Sequence, residues 1–158
     1  MKKLPISIQT FEEIRKEDLI YVDKTSFIWK MVNEGKYYFF SRPRRFGKSL
    51  LLSTLKAYFL GKKEVFEGLA IYEKEKEWIF YPVIHIDYSL VDYTSGIAIF
   101  NASLLDHLQT IAKQYDLEIK NTILANVLRE LVVALYEKFN QQVVILSLIH
   151  ISEPTRPY

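Results

Sequence analysis

The 158-residue sequence contains no cysteine, which excludes a disulfide framework and a thiolate-bound metal. It has only 5 glycines and 5 prolines, and 49% of its residues are hydrophobic, which is typical of a globular protein rather than a disordered one. Its 21 basic and 19 acidic residues give a formal net charge of +2, so no global field demands a nucleic-acid partner. The sequence also lacks a membrane-spanning apolar run and the apolar core of a signal peptide. We therefore expect a cytoplasmic protein of one domain, without a membrane partner.

A basic segment between two apolar stretches organises the chain. Tyr37–Phe40 predicts a strand, and residues 51–59 have apolar residues at helical spacing. Between them stands the sequence Arg-Pro-Arg-Arg-Phe-Gly-Lys-Ser, residues 42–49. A strand, a tight turn and a helix that opens at Gly-Lys-Ser are the parts of a phosphate-binding loop, because the free amides and the dipole of a helix start attract anions.

Each residue of this loop has an expected role. Gly47 has no Cβ, so the backbone can approach the anion closely, while Lys48 reaches the β- and γ-phosphates and is the predicted catalytic residue. The Ser49 hydroxyl would ligate Mg²⁺. The predicted cofactor-binding residues are Arg44, Arg45, Phe46, Gly47, Lys48, Ser49 and Leu50.

An ordinary strand-turn-helix junction is the alternative interpretation of the same residues. The usual phosphate-loop pattern is Gly-x-x-x-x-Gly-Lys-Ser/Thr, and Arg42 occupies the position of its first glycine. Pro43 also removes one potential amide donor. The predicted strand before and helix after the loop favour phosphate binding.

Two short helices are predicted before the loop. Thr10 and Glu13 have capping-box spacing, which predicts a helix over Phe11 to Lys16. Asp23 can cap a second helix that ends at Gly35. One face of that helix would carry Phe27, Ile28, Met31 and Val32. Asp23 and Lys24 have two open interpretations, either helix-start electrostatics or a nucleotide contact.

The rest of the chain predicts an α/β fold. A buried strand over residues 81–87 is followed by two amphipathic helices, roughly 96–115 and 122–139, and by a third strand that starts at 141. This order indicates a P-loop NTPase-like domain with a mostly parallel, three-layer sheet and helices on both faces, incomplete at the C-terminus.

Polar residues of these segments carry further predictions. Asp87 ends the second strand, where an acid can hold Mg²⁺ beside a phosphate loop. Asp87 is therefore a predicted metal ligand together with Ser49. His85 is expected to be a hydrogen-bonded histidine of the core or sheet, and His107 is expected to face solvent.

The C-terminal residues have an unusual origin. Residues 146–156, Leu-Ser-Leu-Ile-His-Ile-Ser-Glu-Pro-Thr-Arg, match one reading frame of the transposase-end adapter used to build sequencing libraries. The alternative is one long apolar strand over residues 143–151. The match of eleven consecutive residues favours the adapter, so we predict native sequence over 1–145 and a non-native tail over 146–158.

Residues 4–145 resemble the bacterial AAA-ATPase-like proteins, a P-loop group. The resemblance is carried by residues 8–12, 21–25, 41–49 and 81–87, and most specifically by Arg-Pro-Arg-Arg-Phe-Gly-Lys-Ser. This family characteristically lacks the first loop glycine, which accounts for Arg42. The resemblance implies that residues 1–145 are the N-terminal part of an AAA-like ATPase domain that uses ATP and Mg²⁺.

The resemblance also marks what this chain lacks. In such proteins the strand matching residues 143–146 continues into an Asp-Glu pair that supports Mg²⁺ and polarises the attacking water. Ser147 and Leu148 stand there in this chain, so whether it is an enzyme stays open. Complete relatives often continue into a predicted nuclease-like domain of the PD-(D/E)XK type, a route to nucleic acid that is not present here.

Three functions follow as hypotheses. The first is ATP binding, with Mg-dependent hydrolysis in the complete protein. The second is a nucleic-acid-binding module in which Arg42, Arg44, Arg45 and Lys48 contact a phosphate backbone. The third is a nucleotide-sensing switch that binds without turnover.

Overall fold

The computed structural model describes residues 2–41, 43, 46–88 and 96–148. The chain divides into two compact units, Met1–Val83 and Ile84–Tyr158. The predicted site residues Arg44 and Arg45, and the tail from residue 149 onward, lie outside the described residues.

The first unit is helical in its described part. Its α-helices are α1 (Phe11–Lys16), α2 (Thr25–Glu34), α3 (Lys48–Phe59) and α4 (Ala70–Lys74), and a 3₁₀ turn covers Lys63–Phe66. Helix α1 packs against α3, and α2 packs against α4. The predicted bounds of α1 are confirmed, as is the predicted second helix up to Gly35.

Aromatic rings form the core of the first unit. Phe11 and Phe66 are fully buried, with ring centroids 4.8 Å apart. Trp78 lies 5.1 Å from Phe66 and 5.7 Å from Tyr58, measured between ring centroids. Rings at these separations bury large apolar areas and contribute edge-to-face attraction, so this cluster holds α1 and α3 together.

The second unit combines two strands with a helical hairpin. Its elements are β1 (Val83–Asp87), whose first residue belongs to the first unit, α5 (Ile97–Gln114), α6 (Leu124–Phe139) and β2 (Val144–Leu148). Strands β1 and β2 pair in a small parallel sheet. The hydrophobic core contains Ile84 and Ile86 of β1, Leu108 of α5, and Leu131 and Leu135 of α6. This mixture of helices and parallel strands is compatible with the predicted α/β class, and the three-layer sheet stays a prediction because the described sheet has two strands.

The predicted strand at Tyr37–Phe40 is wrong. These residues form no strand, and their side chains are 95%, 54%, 88% and 45% exposed, in chain order. A strand needs a neighbour that accepts its backbone hydrogen bonds, and the described sheet consists of β1 and β2 alone. The Tyr38 hydroxyl donates a hydrogen bond to the Met31 carbonyl near the end of α2, over 2.6 Å.

Two details of the first unit also differ from expectation. The Thr10 side chain makes no capping hydrogen bond, so the predicted capping box does not form. Phe27 is 71% exposed although it was expected on the packed face of α2, where Ile28 is buried. The short helices of this unit bury narrower faces than their apolar patterns predict.

Candidate phosphate-binding site

Helix α3 begins directly after a glycine in a left-handed backbone conformation. Gly47 has φ 75°, which side chains rarely adopt, so a residue with a Cβ would be strained there. Among the residues that the structure describes, a Cβ built onto Gly47 would meet no atom within 4 Å. The glycine is therefore required by the backbone turn, and the space beside it is open to an approaching group.

The first amides of α3 face away from the helix body. The Leu51 amide donates to the Gly47 carbonyl over 2.9 Å and closes the first turn. The amides of Ser49 and Leu50 precede that bond, so they have no acceptor within the helix. Helix α3 has 12 residues, and its dipole adds partial positive charge at this end. The arrangement suits an anion such as a phosphate.

The structure brings five of the predicted site residues together at this helix start. Phe46 is 60% exposed, Gly47 is exposed, and Lys48, Ser49 and Leu50 are half-buried. The Ser49 hydroxyl suits Mg²⁺, because Mg²⁺ bound to a nucleotide keeps several waters and takes few protein oxygens. Among the described residues, no three His, Asp or Glu side chains group into a metal site of their own.

Residues 5–148 match the protein family described as "Predicted AAA-ATPase". The chain belongs to this AAA-ATPase-like family. Family membership confirms the resemblance drawn from the loop and indicates nucleotide binding.

One relative extends the comparison. This AAA-ATPase-like chain is 48% identical over 88 residues to "Uncharacterized protein in vnfD 5'region" of Azotobacter chroococcum mcd 1. The aligned part is 55% of this chain and 17% of the relative. No solved structure shows significant similarity to the chain. None of the helices in the described residues combines the length and the apolar character needed to cross a membrane.

The remaining predicted site residues are Arg44, Arg45 and Asp87. Arg44 and Arg45 lie outside the described residues, as does Arg42 of the nucleic-acid hypothesis. Asp87 ends β1 of the AAA-ATPase-like chain and is half-buried, and its role as a Mg²⁺ ligand stays a prediction. Ser147 and Leu148 belong to β2, where Ser147 is exposed and Leu148 is buried.

His85 and His107 contact each other in the second unit. A ring nitrogen of His107 lies 3.0 Å from the His85 carbonyl oxygen, which places the His107 ring against β1. The expectation that His107 faces solvent is therefore wrong, because the ring is half-buried. His85 is half-buried within β1, as expected for a sheet histidine. The His107 ring therefore contributes to the packing of α5 against β1.

Asp23 joins the starts of two helices. Its Oδ1 accepts hydrogen bonds from the Thr25 amide over 2.8 Å and from the Thr25 hydroxyl over 2.7 Å. Its Oδ2 accepts from the Ala70 amide over 2.7 Å, and the Thr25 hydroxyl accepts from the Ile71 amide over 3.1 Å. Burial opposes ionisation of Asp23, but the bonds from Ala70 and Thr25 outweigh it and lower the pKa of the carboxyl. Of the two interpretations of Asp23, the contacts support helix-start electrostatics.

Proposed function

We propose that this chain binds ATP with Mg²⁺ at the start of α3. The observation that supports this most directly is the left-handed Gly47 followed at once by the start of a 12-residue helix, where Lys48 and Ser49 stand in the first turn. Membership of a family described as predicted AAA-ATPases supports ATP as the nucleotide. Gly96, directly before α5, also has a positive φ and open space, so these features alone do not separate a phosphate loop from an ordinary turn-helix junction. The Gly-Lys-Ser sequence and the family membership favour the phosphate loop.

Different groups of the loop would bind different parts of the triphosphate and its metal ion. The amides of Ser49 and Leu50 donate to phosphate oxygens, and Lys48 adds a full positive charge beside them. The Ser49 hydroxyl would hold Mg²⁺, which would supply further positive charge at the phosphates. Arg44 and Arg45 add positive charge before the helix. In the complete protein this field would neutralise the transferred phosphoryl group, so positioning and electrostatics would carry hydrolysis.

The test is a calorimetric titration of Mg-ATP into three versions of the 158-residue chain. Lys48→Ala should abolish binding, because it removes the charge at the phosphates. Lys56→Ala is the matched control, since Lys56 lies in the last turn of the same helix, away from the loop. Unchanged affinity in Lys48→Ala would contradict the proposal, and equal losses in the two variants would indicate a general charge effect.

A second candidate is binding without turnover. It is favoured by β2, which runs through Ser147 and Leu148 and supplies no carboxylate at the end of the strand. Asp87, the last residue of β1, is then the candidate acid that supports Mg²⁺. Under this candidate function, we expect bound ATP to persist in a single-turnover experiment. Hydrolysis faster than in Lys48→Ala would contradict this candidate, and Asp87→Asn would then test whether Asp87 supports the metal.

We also propose that residues 146–156 derive from the sequencing adapter. Sequencing the source gene across codon 145, from a library made without that adapter, should show an apolar residue followed by Asp-Glu. Further strands would then complete the three-layer sheet predicted for a P-loop domain. A gene that encodes Ser147 to Tyr158 would refute the adapter origin and strengthen the binding-only candidate.

A further inference from the structure

Helix α1 is capped by a residue of the phosphate-loop helix rather than by its own sequence. The Phe11 amide, the first of α1, donates to the Ser53 Oγ of α3 over 2.8 Å, across 42 residues. Thr10 stands at the N-cap position but makes no side-chain cap. Natural proteins break a local rule of this kind mostly where another requirement overrides it.

Ser53 lies on α3, close to the residues of the candidate phosphate site. Ser53 lies four residues after Ser49, so the two side chains stand on the same face of α3, one turn apart. The neighbouring Thr54 is buried, and its hydroxyl donates to the Leu50 carbonyl over 2.7 Å. The first and second turns of α3 are thus fixed by two side-chain hydrogen bonds, of which the Ser53 bond reaches another helix.

Other contacts make α1 a rigid support. Glu12 accepts a hydrogen bond from the Lys62 ammonium, just beyond α3, over 2.7 Å. Arg15 donates to the carbonyls of Val65 and Glu67 over 2.9 Å and 2.6 Å. The Phe11 ring is fully buried in the aromatic core. Helix α1 is therefore held at both ends, and the Ser53 hydrogen bond connects it to the second turn of α3.

We propose that Ser53 is a positioning residue of the phosphate site, which holds the first turn of α3 in the orientation that presents its amides to a nucleotide. The inference rests on the proposed function, since it concerns the affinity of that site. Removing the Ser53 hydroxyl leaves the Phe11 amide buried without an acceptor, and α1 must shift or loosen to regain one. The start of α3 then loses its support.

The experiment compares Ser53→Ala, Ser53→Thr and Tyr58→Phe in the 158-residue chain. Tyr58→Phe is the matched control, because the Tyr58 hydroxyl donates to Glu75 over 2.6 Å from the far half of the same helix. Burial and the adjacent Glu75 raise the pKa of Tyr58, so this hydroxyl stays protonated near neutral pH. Each of the two disruptive variants removes one hydroxyl hydrogen bond from α3.

Two measurements are made on each variant: amide hydrogen exchange at Leu51, which needs no nucleotide, and the Kd for Mg-ATP. Ser53→Ala should increase the exchange rate of the Leu51 amide about tenfold and should raise the Kd for Mg-ATP about tenfold. Both changes are expected because a buried amide loses its acceptor. Ser53→Thr should restore both values, and Tyr58→Phe should leave both within about twofold of the wild type. Should Ser53→Ala fail to fold, Glu12→Gln weakens the contact with Lys62 at the same end of α1 and should change both quantities in the same direction.

The outcomes separate the inference from the proposed function. Unchanged Leu51 exchange and Kd in Ser53→Ala would overturn the inference while leaving ATP binding intact. Equal effects of Ser53→Ala and Tyr58→Phe would also overturn it, because they would show a general loss of stability. A wild-type chain that binds no Mg-ATP would overturn the proposed function, and with it the positioning role.

Discussion

The interior of the first unit is stabilised by different contacts from the interior of the second. The first unit has an aromatic core, and backbone amides at its helix starts donate to side chains far away in sequence. Ser53 accepts from the first amide of α1, and Asp23 accepts from the first amide of α4. The second unit has an aliphatic core between β1 and the α5–α6 hairpin, represented by Ile84 and Leu131. Long helices with regular apolar stripes specify the second unit, whereas short helices in the first unit depend on polar contacts far apart in sequence.

This difference bears on function. A site that binds a charged ligand needs fixed backbone donors, and the first unit fixes the start of α3 through α1 and Ser53. An aliphatic hairpin provides stability without placing polar groups in a defined direction. The polar contacts of the first unit therefore belong to the geometry of the candidate site as well as to its stability.

The largest effect is expected in the aromatic core. Phe66→Ala should lower the free energy of unfolding by about 3–5 kcal/mol, because a fully buried ring is lost from contact with Phe11 and Trp78. Both tryptophans, Trp29 and Trp78, lie in the first unit, so urea unfolding followed by tryptophan fluorescence reports on it. Phe27→Ala is the control, since Phe27 is 71% exposed and should change little. A small effect of Phe66→Ala would show that the ring cluster is not the core.

The aliphatic core should respond nearly as strongly. Leu131→Ala removes a fully buried side chain of α6 and should cost about 2–5 kcal/mol of the free energy of unfolding. Far-ultraviolet circular dichroism measures it, because α5 and α6 are the longest helices of the described chain. Val133→Ala, at a 46% exposed position of the same helix, should cost far less. Equal costs at 131 and 133 would contradict the buried face assigned to α6.

A smaller effect is expected at the polar contacts. Asp23→Ala removes the acceptor for the Thr25 and Ala70 amides and should cost about 1 kcal/mol, as for the loss of a helix cap. The pKa of Asp23 is lowered in the folded state, so its stabilisation is present above the unfolded pKa of about 3.9 and is lost as pH falls through the folded pKa. The stability difference between wild type and variant should therefore be constant near neutral pH and shrink in acid below about pH 3.9.

Glu130 provides the control for Asp23. It also accepts backbone hydrogen bonds, from the Lys120 and Asn121 amides over 3.2 Å and 3.3 Å, and bonds from the Asn121 side chain lower the pKa of its carboxyl. This carboxylate is exposed, and it supports one loop next to its own helix rather than joining two helix starts. Glu130→Gln should leave the unfolding midpoint unchanged. A larger loss at Glu130 than at Asp23 would reverse the contrast drawn between the two units.

The sequence predicted the second unit better than the first, for a physical reason. Apolar residues at helical spacing are a local signal, so α5 and α6 were predicted to within about two residues, the usual uncertainty of helix ends. The bounds of α1 were also predicted, but its cap was assigned to Thr10 because sequence spacing cannot reveal a serine 42 residues away. His107 was misjudged because its acceptor lies on β1.

The candidate site shows the same division. Gly47, Lys48 and Ser49 could be predicted because the phosphate loop is a local motif, and the structure places them at a helix start. The strand predicted at Tyr37–Phe40 does not form, because strand pairing depends on neighbours that a local pattern does not contain. Ser53 gave no signal of its own, since a serine inside a helical pattern is ordinarily exposed.

The most direct test of the central claim is a ¹H–¹⁵N correlation spectrum of the 158-residue chain during a titration with Mg-ATP. If the start of α3 binds the phosphates, the largest shift changes should fall on the amides of Gly47, Lys48, Ser49 and Leu50, and Lys48→Ala should abolish them. Shift changes that spare these amides, or that persist in Lys48→Ala, would contradict a phosphate site at α3.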